Sequence, residues 1–110
     1  PFFEYFEDDL IPVFEKKFEF LMDYNFYVFE VIQSLLGIAL PFEKTTEYHK
    51  EYQEIKDYRF LVDGKKDCLV FEPYIQVFED KHGFMSNLSI LDLLFNEGKY
   101  ALDYLRKQNL

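Results

Sequence analysis

Cysteine is nearly absent: the chain holds a single one, Cys68. A secreted disulfide scaffold needs more, so a reducing, cytoplasmic setting is the expectation. Tryptophan is missing, and glycine and proline number four each. So few breakers leave no room for a glycine-rich phosphate loop or a proline-rich linker. No apolar stretch approaches the length of a membrane span, and no signal-peptide pattern is visible. Asn87-Leu88-Ser89 fits the glycosylation acceptor pattern, which is idle in an intracellular chain. HExxH, CxxC, calcium-loop and serine-elbow patterns are also missing. With two His and one Cys, a zinc site made by this chain alone is not expected. Nothing in the sequence names a cofactor.

Basic charge is scarce as well. Twelve basic side chains face 21 acidic ones, a net charge of −9. The longest basic runs are the pairs Lys16-Lys17 and Lys65-Lys66. A nucleic-acid backbone or an anionic membrane would be repelled, so neither is a main partner.

What the chain does have is aromatic side chains: 14 Phe and 9 Tyr in 110 residues. Each buries a large area, which argues against disorder. So many are hard to hide in one small domain, and some are expected to face another subunit or another part of a longer protein. Methionine removal before proline would give the opening Pro1-Phe2-Phe3-Glu4-Tyr5-Phe6, and so would trimming from the middle of a longer protein, which is the favoured expectation.

The pattern predicts a mainly helical fold of short packed helices with long irregular connections. A short extended piece could fall near residues 42–48 or 68–72. Glu4 to Asp8 reads as a helical turn. Asp8 or Asp9 then caps a second helix, with Pro12 in its first turn and Leu10, Phe14, Phe18 and Leu21 on one face. Asp23 or Asn25 caps a third, with Phe26, Phe29, Ile32, Leu35 and Leu36 as its stripe and Gly37 as its end. Glu47 to Tyr58 is a solvated helix or an exposed loop. Tyr58 to Val62 can form a single turn, and Asp63-Gly64-Lys65-Lys66 a tight one.

Further on, Cys68 to Phe71 runs extended into Pro73. Pro73 is expected to open a helix with Tyr74, Val77 and Phe78 inward, stopped by Gly83. Phe84 to Leu88 is a loop. Ser89-Ile90-Leu91-Asp92 has the form of a capping box, with Asp92 in the place usual for Glu. Leu91, Leu94 and Phe95 line the helix that follows, which ends near Gly98. A last helix carries Tyr100, Leu102 and Leu105.

Chemistry is weighed against plainer explanations. Cys68 and His82 are the one thiol–imidazole pairing available to a nucleophile. A lone Cys is more commonly a small hydrophobe, and His82 beside Gly83 suits a helix C-terminus. His49 lies in a charged stretch and reads as solvated. Asp8-Asp9 and Glu79-Asp80 lie on polar faces. Acid–base catalysis favours a carboxylate in an apolar setting. Asp92 fits best, with Ile90, Leu91, Leu93, Leu94 and Phe95 around it. Helix capping explains the same residue. Asn96 either ends the helix or points its amide into a pocket.

Three segments in order resemble the closing signature of WbqC-like proteins. They are Tyr74-Ile75-Gln76-Val77-Phe78, His82-Gly83-Phe84, and Asn87-Leu88-Ser89-Ile90-Leu91-Asp92-Leu93-Leu94-Phe95-Asn96-Glu97-Gly98. Pro1 to Leu21, with Phe2-Phe3-Glu4-Tyr5 and Glu15-Lys16-Lys17, resembles the middle of Bacteroides-type members, whereas residues 43–70 match loosely. Members carry an N-terminal half with its own glutamine-containing motif, which is absent here, so the resemblance implies the C-terminal half of a longer protein. It also implies work on bacterial surface-polysaccharide precursors of the O-antigen type, with an acyl- or aminoacyl-transferase-like activity on a sugar. Carried over by position, Asp92 is the expected catalytic residue, and Tyr74, Gln76, Ser89 and Asn96 bind substrate. The other expectation is a non-enzymatic structural or interaction domain, in which the same residues cap and pack. Self-association, or packing against the further half, would cover the surplus aromatics.

Overall fold

The computed structural model describes residues 1–63 and 70–109. Gly64 to Lys66 of the expected tight turn lie outside these residues, as does Cys68. The fold is mainly helical, and the described residues contain no strand. Residues 42–48 and 70–72 run as irregular chain. No helix among the described residues is long and apolar enough to cross a membrane.

The first helix, α1, spans Phe3–Glu15 without a break at Asp8-Asp9. This corrects the expected division into two. Phe6, Leu10 and Val13 are its buried residues, at the spacing of one helical face. Burying that face outweighs Pro12, which lies inside the helix and cannot donate to the Asp8 carbonyl. Phe14 points to solvent, and Phe18 and Leu21 lie beyond the helix end.

The second helix, α2, spans Leu21–Leu36 and starts earlier than either expected cap. Gly37 ends it at φ +75°. Its N–H donates to the Ser34 carbonyl and that of Ile38 to the Gln33 carbonyl, the paired closure that a left-handed residue permits. Gln33 is buried and accepts the Leu40 N–H on Oε1 at 2.5 Å, steering the outgoing chain. Val31, Ile32, Leu35 and Leu36 pack on the core. Phe26 and Phe29 instead close on Phe42 of the following loop.

The charged segment after Pro41 takes the loop alternative rather than the helical one. Arg59 fastens it: Nε and Nη2 donate to the Asp57 carboxylate, and Nη2 also to the Lys50 carbonyl. The Tyr48 and Tyr52 rings lie within cation–π range of the guanidinium. The expected single turn follows as a 3₁₀ turn, Arg59–Val62.

No helix opens at Pro73. Residues 70–76 are irregular, and α3 is one turn, Glu79–His82, closed by Gly83 at φ +68°. Val77 and Phe78 are exposed rather than inward. The chain stays open because Gln76 and Tyr74 make tertiary hydrogen bonds that a helix through them would forbid. The last helices are α4, Ile90–Glu97, and α5, Ala101–Arg106, joined by a 3₁₀ turn. In α5 the buried residue is Ala101, with Tyr104 beside it, rather than the Tyr100–Leu102–Leu105 set.

One core joins these elements. Phe6 and Leu10 from α1 meet Leu93 and Leu94 from α4 and Ala101 from α5. The two residues before α1 close it. Phe2 donates its N–H to the Phe95 carbonyl at 2.8 Å, and its ring covers Gly98. A Cβ on Gly98 would stand 2.9 Å from that ring, so glycine is what lets the two segments meet.

Candidate functional site

Ser89 begins α4, and its Oγ accepts the Leu91 N–H at 3.2 Å. That is an ordinary N-cap bond. The expected capping box does not form, because the Asp92 N–H bonds to the Ser89 carbonyl and not to Oγ, and Asp92 does not reach back to the Ser89 N–H. Its carboxylate turns to the 73–77 segment instead. The Tyr74 hydroxyl donates to Asp92 Oδ2 at 2.5 Å, and Gln76 Nε2 donates to the same oxygen at 3.3 Å. Asn96, one turn further along α4, donates Nδ2 to the Asp92 carbonyl at 2.7 Å and to Oδ1 at 3.3 Å. Four of the five expected site residues therefore form one network centred on Asp92. Ser89 is the exception: it is an exposed cap.

Gln76 is 6% exposed, and it holds the loop that walls the site. Its Nε2 donates to the Met85 carbonyl at 2.8 Å, and its Oε1 accepts the Met85 N–H at 2.9 Å. A side-chain amide thus pairs with both backbone groups of one residue, as a neighbouring strand would. The loop is fixed further by Asn87 Nδ2 donating to the Leu61 carbonyl and by the Phe71 N–H donating to Ser86 Oγ. Asn87 adopts φ +56°, a conformation that asparagine tolerates better than most residues.

Against this network lies a cleft of about 250 Å³. Asp92, Asn96 and Gln76 contribute its polar groups, Val77, Phe78, Met85, Leu88 and Phe95 its apolar walls, and His82 its exposed rim. Tyr74 and Ser89 line a second cleft of about 340 Å³, and Leu88 borders both. The aromatic edge of Tyr74 packs between Phe84 and Tyr104. Burial above all, and then its hydrogen bond to Asp92, push the Tyr74 hydroxyl well above the ordinary tyrosine range. Tyr74 therefore keeps its proton. It is a hydrogen-bond donor and not a base. Within this network the Asp92 carboxylate is the group able to act as a base, and His82 stands apart from it at the rim.

A larger hollow of about 620 Å³ adjoins Tyr48, Tyr52 and Arg59. Its guanidinium is already held by Asp57, whose carboxyl is drawn down to about 2 by its hydrogen bonds from Arg59. That hollow offers a ligand little unclaimed chemistry.

Sequence reasoning missed Met85, Phe95 and the rim position of His82. Met85 enters through its backbone, which no side-chain pattern reveals. Phe95 was read as a core residue, yet one side of it faces the cleft. The Cys68–His82 pairing lies outside the described residues on the Cys68 side. No protein-family model, no curated protein and no solved structure matches this chain.

Proposed function

We propose that this chain is a WbqC-like protein working in bacterial surface-polysaccharide precursor biosynthesis, and that the Asp92 cleft is its substrate site. One observation carries the site: Tyr74 and Gln76, distant in sequence, join Asn96 on the single carboxylate of Asp92 beside an apolar-walled cleft. The family reading rests on the ordered signature itself. Asp92 acts as base or orienter, Asn96 and Gln76 position substrate, and Tyr74 fixes the carboxylate. The transfer of an acyl or aminoacyl group to a sugar is the activity this reading favours. The chain works as an assembly in this proposal, because its exposed aromatic side chains need covering. The test is a thermal-shift comparison with nucleotide sugars and acyl donors. One ligand class should raise the melting temperature of the unaltered chain, since a ligand that binds the native state stabilises it. Asp92→Asn and Gln76→Ala should lose that rise. An equal rise in both variants sinks the site.

A second reading has its own observation. The side-chain amide of Gln76 and the Oδ2 of Asp92 are both engaged within the chain, as a purely structural network requires. In that reading the residues hold the 83–88 loop on α4 and the domain is an interaction module. Substitutions would then lower stability with no ligand-selective loss.

A further inference from the structure

The sign of the Asp92 cleft is determined by which hydrogen-bonding valences the fold leaves open. Asp92 is half-buried, yet the ion pairs among the described residues join His49 to Glu47 and Arg59 to Asp57. Asp92 receives neutral donors alone: a phenol and two amides. A carboxylate partly withdrawn from water is ordinarily paired with a cation. Its position in the first turn of α4 supplies part of that compensation through the helix dipole.

The remaining valences have one character. A carboxylate has about four lone-pair sites. Oδ2 holds two donors, whereas Oδ1 holds one, at 3.3 Å. Asn96 uses its amide nitrogen on Asp92, and its Oδ1 accepts no hydrogen bond from the described residues. Both Gln76 amide hydrogens are engaged, by Met85 and by Asp92. The inner wall thus offers acceptors and no free donor, and His82, whose ring N–H can donate, stands outside it at the exposed rim. Phe78 and Phe95 border the same space, and aromatic faces attract cations.

We infer that the cleft takes a small organic ammonium with an apolar flank, its N–H groups bonded to Asp92 Oδ1 and Asn96 Oδ1. The inference rests on reading this cleft as the working site. A carboxylate or phosphate would meet acceptors on the inner wall. A hard metal ion is ruled out by donor count: calcium takes about six to eight oxygens, and no group of three or more His, Cys, Asp or Glu among the described residues is placed to hold a metal. The volume of about 250 Å³ sits below the range of about 300–1,000 Å³ for drug-sized ligands, so the group bound is small. The net charge of −9 favours the approach of a cation.

The test titrates the unaltered, isotope-labelled chain by NMR with benzylammonium, benzyl alcohol and phenylacetate, which share a flank and differ in charge. Benzylammonium should give saturable shifts of the Asn96 side-chain amide and the Met85 methyl. It should bind at least about tenfold more tightly than benzyl alcohol, a difference of about 1.4 kcal/mol, and phenylacetate should leave those signals unmoved. Asp92→Asn should bring benzylammonium down to the affinity of the alcohol. If that variant fails to fold, the probe series on the unaltered chain decides alone. Equal binding of all three probes, tighter binding of phenylacetate, or undiminished ammonium binding by folded Asp92→Asn overturns the inference and leaves the cleft a site. Shifts with benzylammonium but none with nucleotide sugars uphold it and sink the sugar reading. No shift at Asn96 or Met85 with any of these ligands sinks both.

Discussion

Tyr74 ties the network to pH. Its folded-state hydroxyl lies above the ordinary tyrosine value of 10.0, first through burial and then through Asp92. Above that value the unfolded chain loses its proton while the folded chain keeps it, so the unfolded state binds fewer protons and stability falls with rising pH. The contribution is full below pH 10 and is lost as pH climbs toward the folded value. Denaturant melts of the unaltered chain should therefore weaken more steeply above pH 10 than those of Tyr74→Phe. Parallel curves would show that Tyr74 is not the linked group. Gln76→Ala should act differently, stranding the Met85 N–H and C=O at once. Met85 is 49% exposed, so water can replace part of what is lost, and the stability should drop by about 1 kcal/mol at every pH, the net worth of a typical intramolecular hydrogen bond. Ser89→Ala removes a cap and should cost about 1 kcal/mol. The sequence made Ser89 legible because a cap bonds two or three residues along its own helix. It placed Asp92 among apolar neighbours for the same local reason. It did not reveal that Asp92 leaves the cap for Tyr74 and Gln76, because that choice depends on a loop closure spanning residues 76–85.

Among the elements, those with a local stop signal and an inward face were legible. Gly37 ended α2 as expected, since a left-handed closure needs a residue without Cβ. Space around Gly37 is open, so Gly37→Ala should lose stability through φ alone, by about 1–2 kcal/mol. A melt unchanged by that substitution would mean that the closure contributes nothing. Pro12 misled in the opposite direction. Read as a helix start, it divided α1 in two, whereas the Phe6–Leu10–Val13 face carries the helix through it. Pro12→Ala should restore a donor to the Asp8 carbonyl and raise stability, by up to about 3 kcal/mol, the helix-interior difference between the two residues. The segment after Pro73 erred because Tyr74, Val77 and Phe78 fit helical spacing by accident. Periodicity reports burial only where packing decides the element, and here tertiary hydrogen bonds decide it.

At the scale of the whole molecule, the chain exposes more than its mass predicts. Its surface is 9439 Å², against about 6,500 Å² for a compact monomer of 13.4 kDa. Its radius of gyration is 15.8 Å, against about 13 Å for a compact domain of 110 residues. The excess is apolar in part, and one run of it lies where α1 hands over to α2: Phe14 and Leu21 are each 73% exposed, and Phe20 and Met22 are largely exposed beside them in sequence, while Ile75, Val77 and Phe78 form another. Aromatic abundance in the sequence foretells this surplus, since a core built on five buried residues cannot absorb 23 aromatic side chains. Two forces then compete. Apolar burial, at about 25 cal/mol per Å², favours association through this corner, while the net charge of −9 opposes it. Salt screens the second force and leaves the first, with a Debye length of about 10 Å at 0.1 M and about 3 Å at 1 M. Sedimentation velocity should therefore show an apparent mass that rises with concentration and rises further with added salt. Phe14→Ser with Leu21→Ser should hold the chain monomeric across the same range without lowering its melting temperature, because neither side chain belongs to the core. A monomer at every salt and concentration would mean that this surface stays open in solution. Association that the double variant leaves intact would move the interface elsewhere on the molecule.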